Sequence, residues 1–296
     1  MQVFRLVIVS ALSVVASAAI NAQQPVTKTV IMSDAPTYRA SDSTWQFRYA
    51  VATPLTPRQG PFGNWVMSIR GPEALGATVD VADSSLAFLG GGAINKVFDG
   101  EPYGVARLTL HAPSRTRWGA SLDPNGDLNF YARGSGKAPS SLGPNQRMTF
   151  VMESRGMPML RESALLPALP PSRISSTTGD VIPVSRAAYA RMGIVPDTVR
   201  AVVAGPGVPA AYITSTVVRE QIDLACSKQL LPAAACSALV AAVESRMSNA
   251  RASFAVALSL LTSRADLHPL LRVTVVPQLQ LLATGRIPAE AWSAMQ

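Results

Sequence analysis

Trp45-Gln46-Phe47-Arg48-Tyr49-Ala50-Val51 (WQFRYAV) places a large apolar side chain at every second position, with Gln, Arg and Ala between them. Successive side chains of an extended strand point to opposite faces, so Trp45, Phe47, Tyr49 and Val51 share one face and a helix would scatter them. The stretch therefore predicts a half-buried β-strand. Trp65, Met67 and Ile69 repeat the pattern downstream, and Val79 with Val81, Leu108 with Leu110, Leu128 with Phe130, and Met148 with Phe150 and Met152 continue it. The breaks fall at turn-forming residues: Pro54 to Gly63, Gly71-Pro72, Gly90-Gly91-Gly92 and Asp123-Pro124-Asn125-Gly126-Asp127. Short alternating segments of this kind predict an antiparallel β-sandwich over residues 27–158.

After that stretch the character changes. Residues 159–213 hold Pro167, Pro170, Pro171, Pro183, Pro196, Pro206 and Pro209, with a small polar run from Ser175 to Gly179. They read as a Pro-rich linker, with a short helix at Arg186 to Met192 and a strand through Val199, Ala201 and Val203. Residues 214–296 change to helical spacing. Thr214 or Ser215 caps a helix to about Gln229, and Pro232 suits the first turn of the next. Leu239, Val243, Met247, Ala250, Phe254, Leu258 and Leu261 then recur at steps of three and four and predict one long amphipathic helix. Pro269 opens a third helix, Pro277 kinks or divides it, and Gly285 is placed to cap it. The fold class expected is α+β: an N-terminal antiparallel sandwich followed by a C-terminal helical bundle or hairpin.

At the other end, Arg5 precedes the apolar run Leu6 to Ile20, and Asn21-Ala22-Gln23-Gln24-Pro25 follows. A basic start, an apolar run and a small residue before a polar turn are the features signal peptidase reads, so residues 1–22 are expected to be a cleaved signal peptide. The run is shorter than the ~20 residues of a membrane span, and Ser10, Ser13 and Ser17 interrupt it. A secreted or periplasmic protein with no transmembrane span in the mature chain follows. Hydrophobic residues at 48% against 15% charged place the chain among folded proteins. The formal charge is +8. Its arginines are dispersed, with Arg115 and Arg117 the closest cluster, which argues against nucleic acid as a partner.

Cys226 and Cys236 flank the predicted turn at Pro232, and export exposes them to an oxidising compartment, so they are expected to form a disulfide. Asp123, Asn125 and Asp127 carry oxygens at alternate positions like the start of a calcium loop, but Leu128 and Gly134 stand where such a loop needs Gly and an acid. A hairpin turn at Asn125-Gly126 is the preferred reading, with a calcium site as its alternative. Gly134-Ser135-Gly136-Lys137 lacks the remaining positions of a phosphate-binding loop. His111 and His268 are the two histidines and have structural explanations at a strand end and a helix start. No nucleophile elbow is present. Trp45, Tyr49, Trp65, Trp118 and Tyr131 point mostly inward by alternation. Trp118, beside Arg115 and Arg117, is the aromatic expected to be exposed and to serve as a binding residue.

The segment from Trp118 to Pro167 resembles a β-rich domain of uncharacterised exported bacterial proteins. The resembling features are a Trp-led hairpin (Trp118 to Ala132), a turn at Leu142-Gly143-Pro144, a strand through Phe150, and Ser154-x-Gly156-x-Pro158 running to Pro167. Where such domains read Pro-Gly this chain has Gly143-Pro144-Asn145, and Thr149 replaces a Gly before the strand Phe. The resemblance implies a secreted sandwich and no activity. The function expected is a non-catalytic binding or structural protein of the cell envelope or extracellular space, with no cofactor and with an envelope polymer, glycan or protein as partner. The alternative is an extracellular hydrolase whose carboxylates, among them Glu101, Asp123, Asp127 and Glu153, meet only in the fold.

Overall fold

The WQFRYAV stretch lies within a strand of nine residues in the computed structural model, which describes residues 28–54, 62–68, 79–81, 108–111, 118–122, 127–132, 142–167, 173–174, 181–182, 191, 198–245 and 250–286. The strands are β1 (Val30–Ser33), β2 (Thr37–Arg39), β3 (Thr44–Ala52), β4 (Phe62–Ser68), β5 (Val79–Val81), β6 (Leu108–His111), β7 (Trp118–Leu122), β8 (Asp127–Ala132), β9 (Arg147–Ser154), β10 (Pro158–Pro167), β11 (Arg173–Ile174), β12 (Val181–Ile182) and β13 (Val199–Pro206). Sheet A has the order β1-β3-β9-β6-β5, with β2 also on β3, and sheet B has the order β13-β10-β4-β8-β7. Helices follow: α1 (Ser215–Ser227), α2 (Ala233–Glu244), α3 (Ala250–Thr262), α4 (Pro269–Val273) and α5 (Val275–Thr284). The chain is mixed α+β. The pairings within both sheets are antiparallel except for β5, which runs parallel to β6.

The alternation expected of β3 holds from Trp45 to Tyr49, and Trp45, Phe47, Tyr49 and Val51 are all buried; beyond Tyr49 both faces are covered, so Ala50 is buried as well. Trp45, Phe47, Tyr49 and Val51 meet Trp65, Met67, Leu128, Phe130, Phe150 and Met152 in one core shared by the two sheets. Trp65 is its centre, with ring centroids 4.7 Å from Tyr49, 5.3 Å from Phe130 and 5.0 Å from Phe150. The Tyr49 hydroxyl donates to the Ala204 carbonyl at 2.8 Å, a buried bond from β3 to β13. Burial pushes the Tyr49 pKa well above its ordinary value, while the charge of nearby Arg161 opposes the shift.

Residues 159–213 are no simple linker, and here the sequence reading is corrected. They supply β13 and nearly all of β10, and β10 is an interior strand of sheet B between β13 and β4. Both faces of β10 are covered, so its polarity does not alternate: Leu165 enters the core between the sheets and Leu160 a second core beneath the helices. Arg161 is itself buried, its Nε donating to the Pro206 carbonyl at 2.9 Å. Of the prolines that suggested a linker, Pro167 ends β10 and Pro206 ends β13. Close by, backbone passes backbone: a Cβ on Gly156 would lie 1.8 Å from the Gly207 carbonyl oxygen, where Met157 N donates to Val208 O.

Sheet B thus has sheet A on one face and helices on the other. The second core joins Met157, Met159, Leu160 and Val208 to Ile222, Leu239, Phe254, Leu261, Leu271 and Leu279. Pairing between β10 and β4 starts only at Ser163↔Met67, so among the described residues the first residues of β10 have no strand partner on that side. Two buried glutamines take up their backbone groups. Gln221 of α1 accepts from Leu160 N at 2.6 Å, and Gln278 of α5 donates from Nε2 to Pro158 O at 3.0 Å. Side-chain amides here do what a strand ladder does elsewhere.

Within the helical part Thr214 caps α1, its Oγ1 accepting from Val217 N, and Gly285 ends α5 with φ of 72°. The single long helix expected through Leu239 and Leu261 is two helices, α2 and α3. Ser245 leaves helical geometry at ψ 118°, and its carbonyl accepts from Ser253 Oγ at 3.2 Å. Division of the last helical stretch comes at Thr274, before Pro277; that proline falls in the first turn of α5, where a missing N–H leaves no helical bond unmade.

Candidate functional site

A cleft of about 590 Å³ lies on the helical side of sheet B. Its floor is the outward face of the strands, where Val66 of β4, Ala164 of β10 and Val202 of β13 present small or branched apolar side chains. Leu230, just after α1, and Leu270 of α4 supply the apolar part of the opposite wall. Its lining also includes Ser163 and the charged or ring side chains of Glu162, Arg200, Lys228 and His268. Lys228 Nζ is ion-paired with Glu162 Oε1, a bridge from the end of α1 to β10. Arg200 is exposed on β13 and has no ion pair among the described residues. His268 caps α4, its Nδ1 accepting from Leu270 N at 3.2 Å, which leaves Nε2 as the ring nitrogen that can donate.

A covalent bond fixes one wall of this cleft. Cys226 and Cys236 form a disulfide with Cα atoms 5.8 Å apart, as the sequence led us to expect, and the loop it closes contains both Lys228 and Leu230. The chain turns there with Gln229 at φ of 57°, and Leu230 N donates back to Ala225 O at 2.9 Å.

The binding residues picked from the sequence lie elsewhere. Trp118 was expected at the surface; it is fully buried on β7, with its ring edge-on to Phe150 at 5.3 Å. It packs in the core between the sheets because alternation along β7 overrides the charge of its neighbours. Arg115 and Arg117 lie outside the described residues. Trp45, Tyr49 and Trp65 are buried as well, so these aromatics form core and not a ligand platform. Asp123, Asn125 and Gly126 also lie outside the described residues, while Asp127 opens β8. Strands β7 and β8 do pair as a hairpin, with Leu122↔Leu128 in register. His111 is in β6, and His268 stands at a helix start as expected. Among the described residues no group of three or more His, Cys, Asp or Glu side chains is arranged to hold a metal ion.

Of the carboxylates considered for hydrolysis, Glu153 is committed to a network on sheet A. Arg39 donates to it at 3.2 Å and to Asp42 at 2.9 and 3.0 Å, and Gln46 donates to Glu153 at 3.2 Å. The Arg39 hydrogen bonds, with help from Thr44, hold the Asp42 carboxyl well below the usual carboxylate range. Glu101 and Asp123 lie outside the described residues. The cleft was not foreseen from sequence, since its residues come from β4, β10, β13, α1 and α4.

Comparison with protein-family models, with curated protein sequences and with solved structures found no match.

Proposed function

We propose that the chain is an exported, non-catalytic binding protein in which a β-sandwich formed by sheets A and B carries a disulfide-stapled helical bundle, and that it holds its ligand in the cleft between the two. The cleft is the observation that carries this reading. Its volume falls within the ~300–1,000 Å³ of small-ligand sites, and an apolar floor with a few polar groups at the rim is their usual chemistry. Export is supported by the signal-like residues 1–22 and by the Cys226–Cys236 disulfide, which suits an oxidising compartment. The resemblance of residues 118–167 to a β-rich domain of exported bacterial proteins points the same way. No described helix is long and apolar enough to cross a membrane. A carboxylate hydrolase would need two facing acids, whereas Glu162 is the acid among the described lining residues and is paired to Lys228.

The test is to produce the chain in a bacterium and recover it from periplasm and medium, where intact mass should show a mature start near Gln23. That protein and its Ala164→Leu variant, which narrows the cleft floor, are then compared for small molecules retained through purification. Ligand on the wild type and none on the variant is the expected result; an unprocessed, cytoplasmic chain or equal retention by both would reject the reading.

A further inference from the structure

We propose that the cleft takes a small amphipathic anion, with its charge held by Arg200 and Lys228 and its apolar body laid on Val66, Ala164, Val202 and Leu270. This deepens the binding reading above and rests on it. Arg200 has no ion-pair partner among the described residues, although it stands on an edge strand beside an apolar floor. An uncompensated guanidinium next to apolar surface favours a ligand carrying both an acid and a hydrophobic group, because each part then finds its complement. The Lys228–Glu162 pair is accessible, its side chains 39% and 55% exposed, so an incoming anion can reach Lys228 and compete with Glu162 for it. His268 Nε2 adds a donor on the same rim. The charged rim carries two cations against one carboxylate, which disfavours cationic ligands and leaves a place for one anionic group. The disulfide loop fixes Lys228 and Leu230, so the cationic and the apolar contacts on that wall are set by one covalent constraint.

The experiment uses the full mature chain with its disulfide intact and two fluorescent probes of similar ring size. One is the anion 8-anilino-1-naphthalenesulfonate; the other is uncharged N-phenyl-1-naphthylamine. Both should bind once per chain, the anion more tightly and with an affinity that falls as salt screens the cations. Arg200→Gln and Lys228→Gln should each weaken the anionic probe about tenfold, the factor that ~1.4 kcal/mol of lost ion pairing produces, while the neutral probe is unaffected. Glu162→Gln should tighten the anionic probe by freeing Lys228, a sign that simple loss of structure would not give. Circular dichroism on each variant checks the fold; these three positions are at the surface. Equal binding of both probes, unchanged in all three variants, overturns the anion assignment and leaves the cleft as a neutral site. Failure of both probes to bind, or binding that Ala164→Leu does not alter, overturns the binding reading together with it.

Discussion

The two faces of sheet B are buried by different means. Toward sheet A the contacts are aromatic: Trp65, Trp118, Tyr49, Phe47, Phe130 and Phe150 are among the largest fully buried side chains, and they fill the space between the sheets. Toward the helices the contacts are mostly aliphatic, helped by two glutamine amides and one disulfide. Large aromatic rings from the two sheets share one buried cluster. Helices of cylindrical shape lying on a flatter sheet cover it incompletely, and where the sheet presents Ala164 and Val202 the gap becomes the cleft. The aromatic side is therefore the part expected to set stability, and the helical side the part expected to bind.

The largest effect should come from Trp65→Ala, which removes the ring around which Tyr49, Phe130 and Phe150 pack. A loss of about 3–5 kcal/mol is expected from the shift of the denaturant midpoint. A loss under about 1 kcal/mol would mean that the inter-sheet core is not the stabilising one. Reducing the Cys226–Cys236 disulfide should cost less, at most about 3 kcal/mol for so short a loop. It should loosen the helical signal in far-ultraviolet circular dichroism at a lower denaturant concentration than the near-ultraviolet tryptophan signal. Coincident loss of both signals would erase the distinction between the two sides.

Gln221→Ala should follow, at about 1–3 kcal/mol, because it leaves the buried Leu160 amide without its acceptor. Faster hydrogen exchange at Leu160, with Trp65 fluorescence unchanged, would place the damage on the helical side alone. Tyr49→Phe removes the one hydroxyl bond described between β3 and β13, for a loss of about 1 kcal/mol. It also has a pH signature. The folded-state pKa of Tyr49 is raised above its unfolded value, so its contribution is full below about pH 10 and is lost as pH rises beyond. Tyr49→Phe should flatten that alkaline decline. Smallest is Asp42→Asn on the exposed Arg39 network. The depressed folded pKa of Asp42 makes its contribution present above about pH 4 and lost as pH falls further, so the variant should lose stability in acid less steeply than the wild type.

The same contrast explains what could be read from sequence. One-sided strands announce themselves, and Trp45, Phe47, Tyr49 and Val51 were legible because alternation is a local property. So were the Thr214 and Gly285 caps and the disulfide across Pro232, each set within a few residues. Strand β10 was not, since both its faces are covered and a buried Arg161 interrupts its apolar run. At the turn before β9, Asn145 takes φ of 50°, a conformation that Asn tolerates better than most residues. The cleft residues were invisible for a different reason: they come from separate strands and helices, and none is unusual in its own segment.

The central claim is that binding belongs to the helical face of sheet B and not to its aromatic side or to the outer surface of the helices. Methyl-resolved NMR of the protein, titrated with 8-anilino-1-naphthalenesulfonate, tests it most directly. The account predicts saturable shifts at the methyl groups of Val66, Ala164, Val202, Leu230 and Leu270. Shifts confined to the exposed Met32 on β1, or to Val256 and Leu260 on α3, with those five unmoved, would contradict it.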